Sequence, residues 1–253
     1  KTIHTAITTS LVAGTILTVI GVSFSKEFLI LMDTPANILP KSTTYMKIYF
    51  GGITFNMVYN FCAAILRAAG DTKSPLIFLS IAGVINVGLN LIFVTVFHMN
   101  VAGVALATTI SQGISAVLVV IVLMRRTDSC HLNPRQIRPH KPQLLRILRI
   151  GLPAGLQGCL FSISNVILQA TVNSFGTIVT AGNTAASNIE GYIYVSMNAM
   201  HQAAITFTSQ NLGAGKFDRV QKGVRQGSLI AQSVAITLVI AILILGRFLF
   251  GIF

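Results

Sequence analysis

Amide, carboxyl and imidazole side chains recur at steps of four or its multiples inside long apolar runs of this chain. One series is Gln157, Asn165, Gln169 and Asn173, and another is Glu190, Tyr194, Asn198 and Gln202 with His201 beside it. Two shorter pairs, Asn56 with Asn60 and Asn86 with Asn90, repeat the spacing. Each step of four drifts by about 40° on an ideal helix, so every set forms a curved stripe along one side. Such a stripe must face protein or water. Amides that hydrogen-bond between helices, at roughly 0.6 to 2 kcal/mol each, are one reading. The lining of a water-filled cavity is the other, and the 157–173 and 190–202 series suit it because a carboxyl and an imidazole join the amides. Glu190 is the acidic residue well inside an apolar run, where a charged carboxyl is expensive and serves as a proton acceptor or a partner for a cationic substrate.

Other chemistries find no support in the residue pattern. No nucleophile stands with a base, and Cys62, Cys130 and Cys159 form neither a disulfide framework nor a metal-ligand spacing. Gly213 to Lys216 imitates a phosphate loop but lacks its following residues and preceding strand. The chain is therefore not expected to be an enzyme, to hold a metal or to need a cofactor. His4, His98, His131 and His140 fall at the ends of apolar runs and are expected to be solvated, whereas His201 lies deeper.

The elements that carry these stripes must be membrane helices. Only 9% of 253 residues are charged and 53% are apolar, too few polar groups to clothe a soluble surface. Apolar runs of 20 or so residues match a hydrocarbon core of about 30 Å, and the alternating pattern of a β-barrel is missing. Seven spans are expected, at 5–24, 44–69, 75–97, 101–124, 144–174, 183–212 and 224–253, with Ser74 capping the third and Pro75 at its first position. Asp33, Pro35 and Pro40 mark the first loop. Gly151, Gly155 and Gly158 present a small surface suited to close helix contact around Pro153.

Between the fourth and fifth spans lies RRTDSCHLNPRQIRPHKPQLLRILR, residues 125–149, with seven Lys or Arg, one acid and three prolines. The net charge of +12 could suggest nucleic acid, but the cations cluster beside the spans, which suits anionic headgroups and topology control instead. Fourteen Lys or Arg flank one side of the seven-span arrangement, against Lys26, Lys41, Lys47 and Arg247 on the other. By the positive-inside rule the start of the chain and the 125–149 loop are cytoplasmic and the end is extracytoplasmic. A seven-helix receptor has the opposite orientation. The two ends also align weakly at a spacing of 221, pairing Lys1 with Lys222 and Lys26 with Arg247, as a parallel repeat would.

The order of ILRAAGDTKSP (65–75), INVGLN (85–90), IGLPAGLQG (150–158) and TSQNLGAGKFDR (208–219) resembles the multidrug and toxic compound extrusion family of secondary transporters. The resemblance covers essentially the whole chain and implies helices three to nine of twelve, so the sequence reads as part of a longer protein. It implies an all-α, polytopic bundle of two pseudo-repeated lobes: four helices of the first over 1–124, a cytoplasmic connector over 125–149, and three helices of the second over 150–253. It also implies a plasma (inner) membrane antiporter, monomeric when full length, that exports amphipathic cationic compounds by alternating access in exchange for Na⁺ or H⁺. Expected substrate contacts are Gln157, Asn165, Gln169, Glu190, Tyr194, Asn198 and His201.

Ion coupling is expected to involve Asn86, Asn90 and Glu190. Proton-linked members carry an Asn and, four residues later, an Asp on the fifth helix; Asn86 matches the first and Asn90 replaces the second. Na⁺-linked members place a Glu on the seventh helix near Phe161, and no acid occurs there. A flippase for lipid-linked sugars shares the broad architecture but would need a more basic cavity than these spans provide. A receptor without transport activity is the rival from another class.

Overall fold

The computed structural model describes residues 1–32, 34, 36–127 and 130–250. Asp33 and Pro35 of the first loop, Asp128 and Ser129 of the connector and the end of the last span at 251–253 lie outside the described residues, as does the side chain of Arg247. Nine α-helices are described, and no strand is found among the described residues. They are α1 (Thr2–Ser23), α2 (Ser25–Leu31), α3 (Leu39–Gly51), α4 (Ile53–Ala68), α5 (Lys73–Leu91), α6 (Asn100–Arg125), α7 (Lys141–Ser174), α8 (Thr177–Gly213) and α9 (Phe217–Phe250). A π turn, Ile92–Val96, extends α5, and a 3₁₀ turn, Pro134–Gln136, interrupts the connector. Two compact units divide at the start of α7, Lys1–Ile150 and Gly151–Phe253.

Five helices are long and apolar enough to cross a membrane, and the α3–α4 pair adds a sixth as a bent span. α8 has the length but not the apolarity, because its 190–202 stripe replaces the Leu and Val of a lipid-facing helix. Seven helical paths are thus present, yet composition alone marks six. The expected single span at 44–69 is instead broken by 42° at Gly52. A Cβ on Gly52 would collide with the Thr109 side chain of α6, so glycine lets α6 approach at the break. The Thr109 hydroxyl donates to the Ile48 carbonyl at 3.3 Å, which also accepts the Gly52 N–H at 3.2 Å.

In the first unit α6 packs against α3, α4 and α5, while α1 lies on α3 and α4. Small residues permit these crossings. A Cβ on Gly14 of α1 would sit 2.8 Å from the Thr54 backbone, and one on Gly21 would fall on the Phe50 ring. Thr18, between them, donates to the Phe50 carbonyl at 3.0 Å. Glycines seven apart with a hydroxyl between form one seam, and a side chain at either glycine would separate the helices. At the glycine surface expected at 151, 155 and 158, no atom of another segment among the described residues comes within 4 Å of an added Cβ.

The apolar core lies at the connector end of this unit, formed by Ile7, Tyr59, Cys62, Leu66, Val119 and Leu123. Leu132 of the connector is 2% exposed among them, and its N–H donates to the Leu123 carbonyl at 2.9 Å. The described part of the connector around Leu132 and Ile137 therefore packs into the core of the first unit. The connector also pins α1. His4 is buried, and its Nε2 accepts the Asn133 N–H at 3.3 Å, while the His140 N–H donates to Thr5 Oγ1 at 3.0 Å. His4 thus corrects the expectation of a solvated imidazole; the connector's backbone supplies the donor that water would have supplied.

A second correction concerns the start of α5. Its N-cap is Thr72 and its first residue Lys73, so Ser74 and Pro75 lie inside the first turn. Asp71 does the capping: its carboxylate accepts the Ser74 N–H at 3.0 Å and the Ser74 hydroxyl at 2.7 Å. Arg126, at the end of α6, completes an ion pair at 3.5 Å. An anionic acceptor at a helix start outcompetes a hydroxyl because it meets both the free N–H groups and the helix dipole. The Ser74 amide above all, with the Ser74 hydroxyl and Arg126 adding to it, holds the Asp71 carboxyl below its ordinary range. A depressed folded-state pKa means a contribution to stability that is full above the unfolded value, near 3.9, and lost as pH falls through the folded one. Asp71→Ala is expected to destabilise the solubilised protein by about 1 kcal/mol near neutral pH. Thermal melts from pH 7 down to 3 should show the gap between parent and variant closing at the acid end.

Candidate functional site

The predicted ion-coupling pair sits on α5 facing α6 in the first unit. Asn86 Nδ2 donates to Ser111 Oγ at 3.3 Å and to Thr108 Oγ1 at 3.4 Å. Both hydroxyls spend their own protons on the α6 backbone, Ser111 on the Thr108 carbonyl and Thr108 on the Val104 carbonyl, so they face Asn86 as acceptors. Asn90 Nδ2 then donates to Asn86 Oδ1 at 3.0 Å. The chain of bonds ends there: Asn90 Oδ1 is buried with no hydrogen-bond partner among the described residues. One amide oxygen is left facing the interior with an unused lone pair, which would cost about 1 to 3 kcal/mol without an occupant.

The four-residue step explains how the two amides meet, since side chains at i and i+4 share a helix face. Residues 108 and 111 of α6 escaped the sequence reading. A threonine and a serine in an apolar helix commonly bond back to their own carbonyls, and only the packing of α5 on α6 shows their second function. Asn56 and Asn60 have the same spacing but another outcome. Asn60 Nδ2 donates to Asn56 Oδ1 and to the Asn56 carbonyl, both at 2.9 Å, so their bond lies within α4 rather than between helices.

In the second unit the stripes on α7 and α8 are present, but few of their members meet. Gln169 Nε2 donates to Asn173 Oδ1 at 2.9 Å within α7, and Asn183 of α8 donates to Gln169 Oε1 at 3.4 Å. Gln157 and Asn165 on α7, and Glu190, Tyr194, Asn198 and His201 on α8, are exposed. α8 begins at Thr177, six residues before the expected start of its span, so Glu190 stands almost four turns into the helix instead of two. α8 packs on α9, where a recess of about 250 Å³ is lined by Met200, Phe207, Thr208, Gln226 and Ile230. None of the seven expected contact residues lines it. Phe207 would meet a Cβ on Gly223, so that glycine sets the closeness of α8 and α9.

Comparison with known proteins agrees with this geometry. The MatE family model matches residues 1–92 and 153–253, leaving unmatched the stretch 93–152, which holds α6, the connector and the first turns of α7. The probable multidrug resistance protein YpnP of Bacillus subtilis (strain 168) is 34% identical over 200 residues, 79% of this chain and 44% of that protein. The probable multidrug resistance protein YoeA of the same organism is 27% identical over 258 residues, 99% of this chain and 56% of that protein. An outward-facing structure of a MATE family transporter of the MOP superfamily superposes with a TM-score of 0.89 at 21% identity, covering 98% of this chain and 56% of that one. The chain spans about half the length of the curated relatives it matches. With helices of both units inside the matched segments and a multi-pass helical fold that superposes on nearly its whole length, the chain belongs to the MatE family, whose members are transporters and not enzymes.

Proposed function

We propose that the protein carrying this chain exports amphipathic, cationic compounds across the plasma (inner) membrane in exchange for Na⁺ or H⁺, by alternating access, as a monomer. The observation that carries the coupling part is the unpartnered Oδ1 of Asn90 at the end of the Asn86–Ser111–Thr108 chain. An oxygen acceptor held ready inside a membrane bundle is what a hard cation requires. An amide has no proton to release near neutral pH, so exchange for H⁺ would need a carboxyl from elsewhere. Glu190 is the candidate in this chain, and its place on a polar helix supports a second role against a cationic substrate. Gln157, Asn165, Gln169, Tyr194, Asn198 and His201 complete the proposed substrate surface. Support for drug export comes from the printed description of two relatives as probable multidrug resistance proteins.

Asn86 and Asn90 can be separated by one pair of variants in the full-length protein. Asn86→Leu strips both α6 hydroxyls and Asn90 of their partner and should lower stability by about 1 to 2 kcal/mol. Asn90→Leu removes the unsatisfied acceptor but leaves Asn86 Oδ1 without its donor, so it should cost about 1 kcal/mol or less, below the cost of Asn86→Leu. Ion-driven dye export in inverted vesicles should nevertheless fall at least tenfold in Asn90→Leu, roughly the loss of one ligand. Normal export by a well-folded Asn90→Leu protein would remove the cluster from coupling.

Glu190→Gln should reduce export of cationic dyes several-fold while a neutral substrate is spared, as measured by dye accumulation in intact cells. Unchanged efflux and unchanged pH dependence would exclude Glu190. The orientation with residues 125–149 in the cytoplasm is tested by Lys73→Cys in a protein whose Cys62, Cys130 and Cys159 are replaced by serine: a membrane-impermeant maleimide should label it in inverted vesicles and not in intact cells.

A further inference from the structure

We infer that the connector and the start of α1 form a binding site for a phosphate group, borne by an anionic lipid headgroup or by a soluble phosphate. A cavity of about 410 Å³ opens between them, lined by Lys1, His4, Arg135, Gln136, Arg138 and His140. That volume falls within the range of about 300 to 1,000 Å³ that ligand sites occupy. No carboxylate lines it among the described residues, and neither arginine is in an ion pair there. Two guanidinium groups and an ammonium around a cavity without an anion repel one another, and a phosphate neutralises them with the bidentate geometry that arginine favours.

The site is built rather than a scatter of surface charge. The Asn133 N–H bonds His4 at 3.3 Å, and Asn133 Oδ1 accepts the Arg135 N–H at 3.0 Å, which sets the turn that carries Arg135 and Gln136. The Thr5 hydroxyl meets the His140 N–H at 3.0 Å, and His140 Nδ1 lies 3.1 Å from the Arg138 carbonyl. Leu132 on one side and the partly buried Ile137 on the other anchor the segment into the apolar core. The backbone between Leu132 and Ile137 therefore carries Arg135, and Arg138 follows between Ile137 and the His140 N–H that is bonded to Thr5 of α1. Because His4 Nε2 is an acceptor, its imidazole is neutral in this arrangement, so the charge facing a ligand comes from Arg135, Arg138 and Lys1.

Native mass spectrometry of the full-length detergent-solubilised protein tests this. It is titrated separately with inorganic phosphate and with short-chain phosphatidylglycerol, with phosphatidylcholine as the zwitterionic reference. R135A/R138A should bind the anion at least about tenfold more weakly than the parent, the loss expected for charge-assisted bonds. R146A/R149A, which removes two exposed cations of α7 outside the cavity, should bind like the parent. Preference for phosphatidylglycerol assigns the site to a headgroup, and preference for inorganic phosphate assigns it to a soluble ligand. Equal loss in both double variants, or no saturable binding of either anion by the parent, overturns the site. If R135A/R138A melts earlier than the parent, R135Q/R138Q decides by the same readout.

Discussion

A polar atom inside hydrocarbon must find its partner within the protein, and the first unit is arranged around that requirement. Hydroxyls meet it locally. Thr8, Thr9, Thr43 and Thr108 each return their proton to the carbonyl four residues back, so they add small volume to a helix face without an exposed donor. Amides cannot do this alone, because each has two donors and an acceptor to satisfy. Asn86 solves the problem by reaching across to α6, and Asn90 by leaning on Asn86. What remains is the Asn90 oxygen. Among the described residues it is the one buried side-chain polar atom without a hydrogen-bond partner, which is why the proposed coupling is placed there.

Close helix approach is the means by which those partners come within reach. Gly14, Gly21, Gly52 and Gly103 each lie where an added Cβ would meet a neighbouring segment at or inside contact distance, and the bend at Gly52 turns α3 and α4 around α6. Lipid supplies no hydrophobic drive for helix association, so such packing and the few cross-helix hydrogen bonds hold the unit together. The core at the connector end adds ordinary apolar burial. Leu132 brings the connector into that core, which makes a basic, Pro-rich stretch a structural part of the first unit.

Much of this was legible in the residues. Long apolar runs with flanking cations gave the helices and their order, and the four-residue spacing of Asn86 and Asn90 put them on one face. The rest depended on neighbours far along the chain. The Gly51-Gly52 pair is a local sign of a break that the lone Gly83 lacks, but that Gly52 also admits a neighbouring helix depends on Thr109 of α6. Ser74 before a proline is a fair cap by its own chemistry, and it yields to Asp71, whose carboxylate accepts both its N–H and its hydroxyl; only the added ion pair with Arg126, 55 residues on, depends on a distant part of the chain. His4 reads as interfacial until the connector folds over it. The small face at 151, 155 and 158 was legible as a surface, but its use lay beyond the residues themselves.

The proposed function joins the two units in one proposal, that cation entry at the first is tied to the export of a compound held by polar residues of the second. The direct measurement is dye export by the full-length protein in proteoliposomes under an imposed Na⁺ or pH gradient, with no nucleotide present. The account predicts uptake of a cationic dye against its gradient whenever one of the two ion gradients runs the other way, and collapse when that gradient is dissipated. Export that persists with both gradients abolished, or that requires ATP, would contradict it.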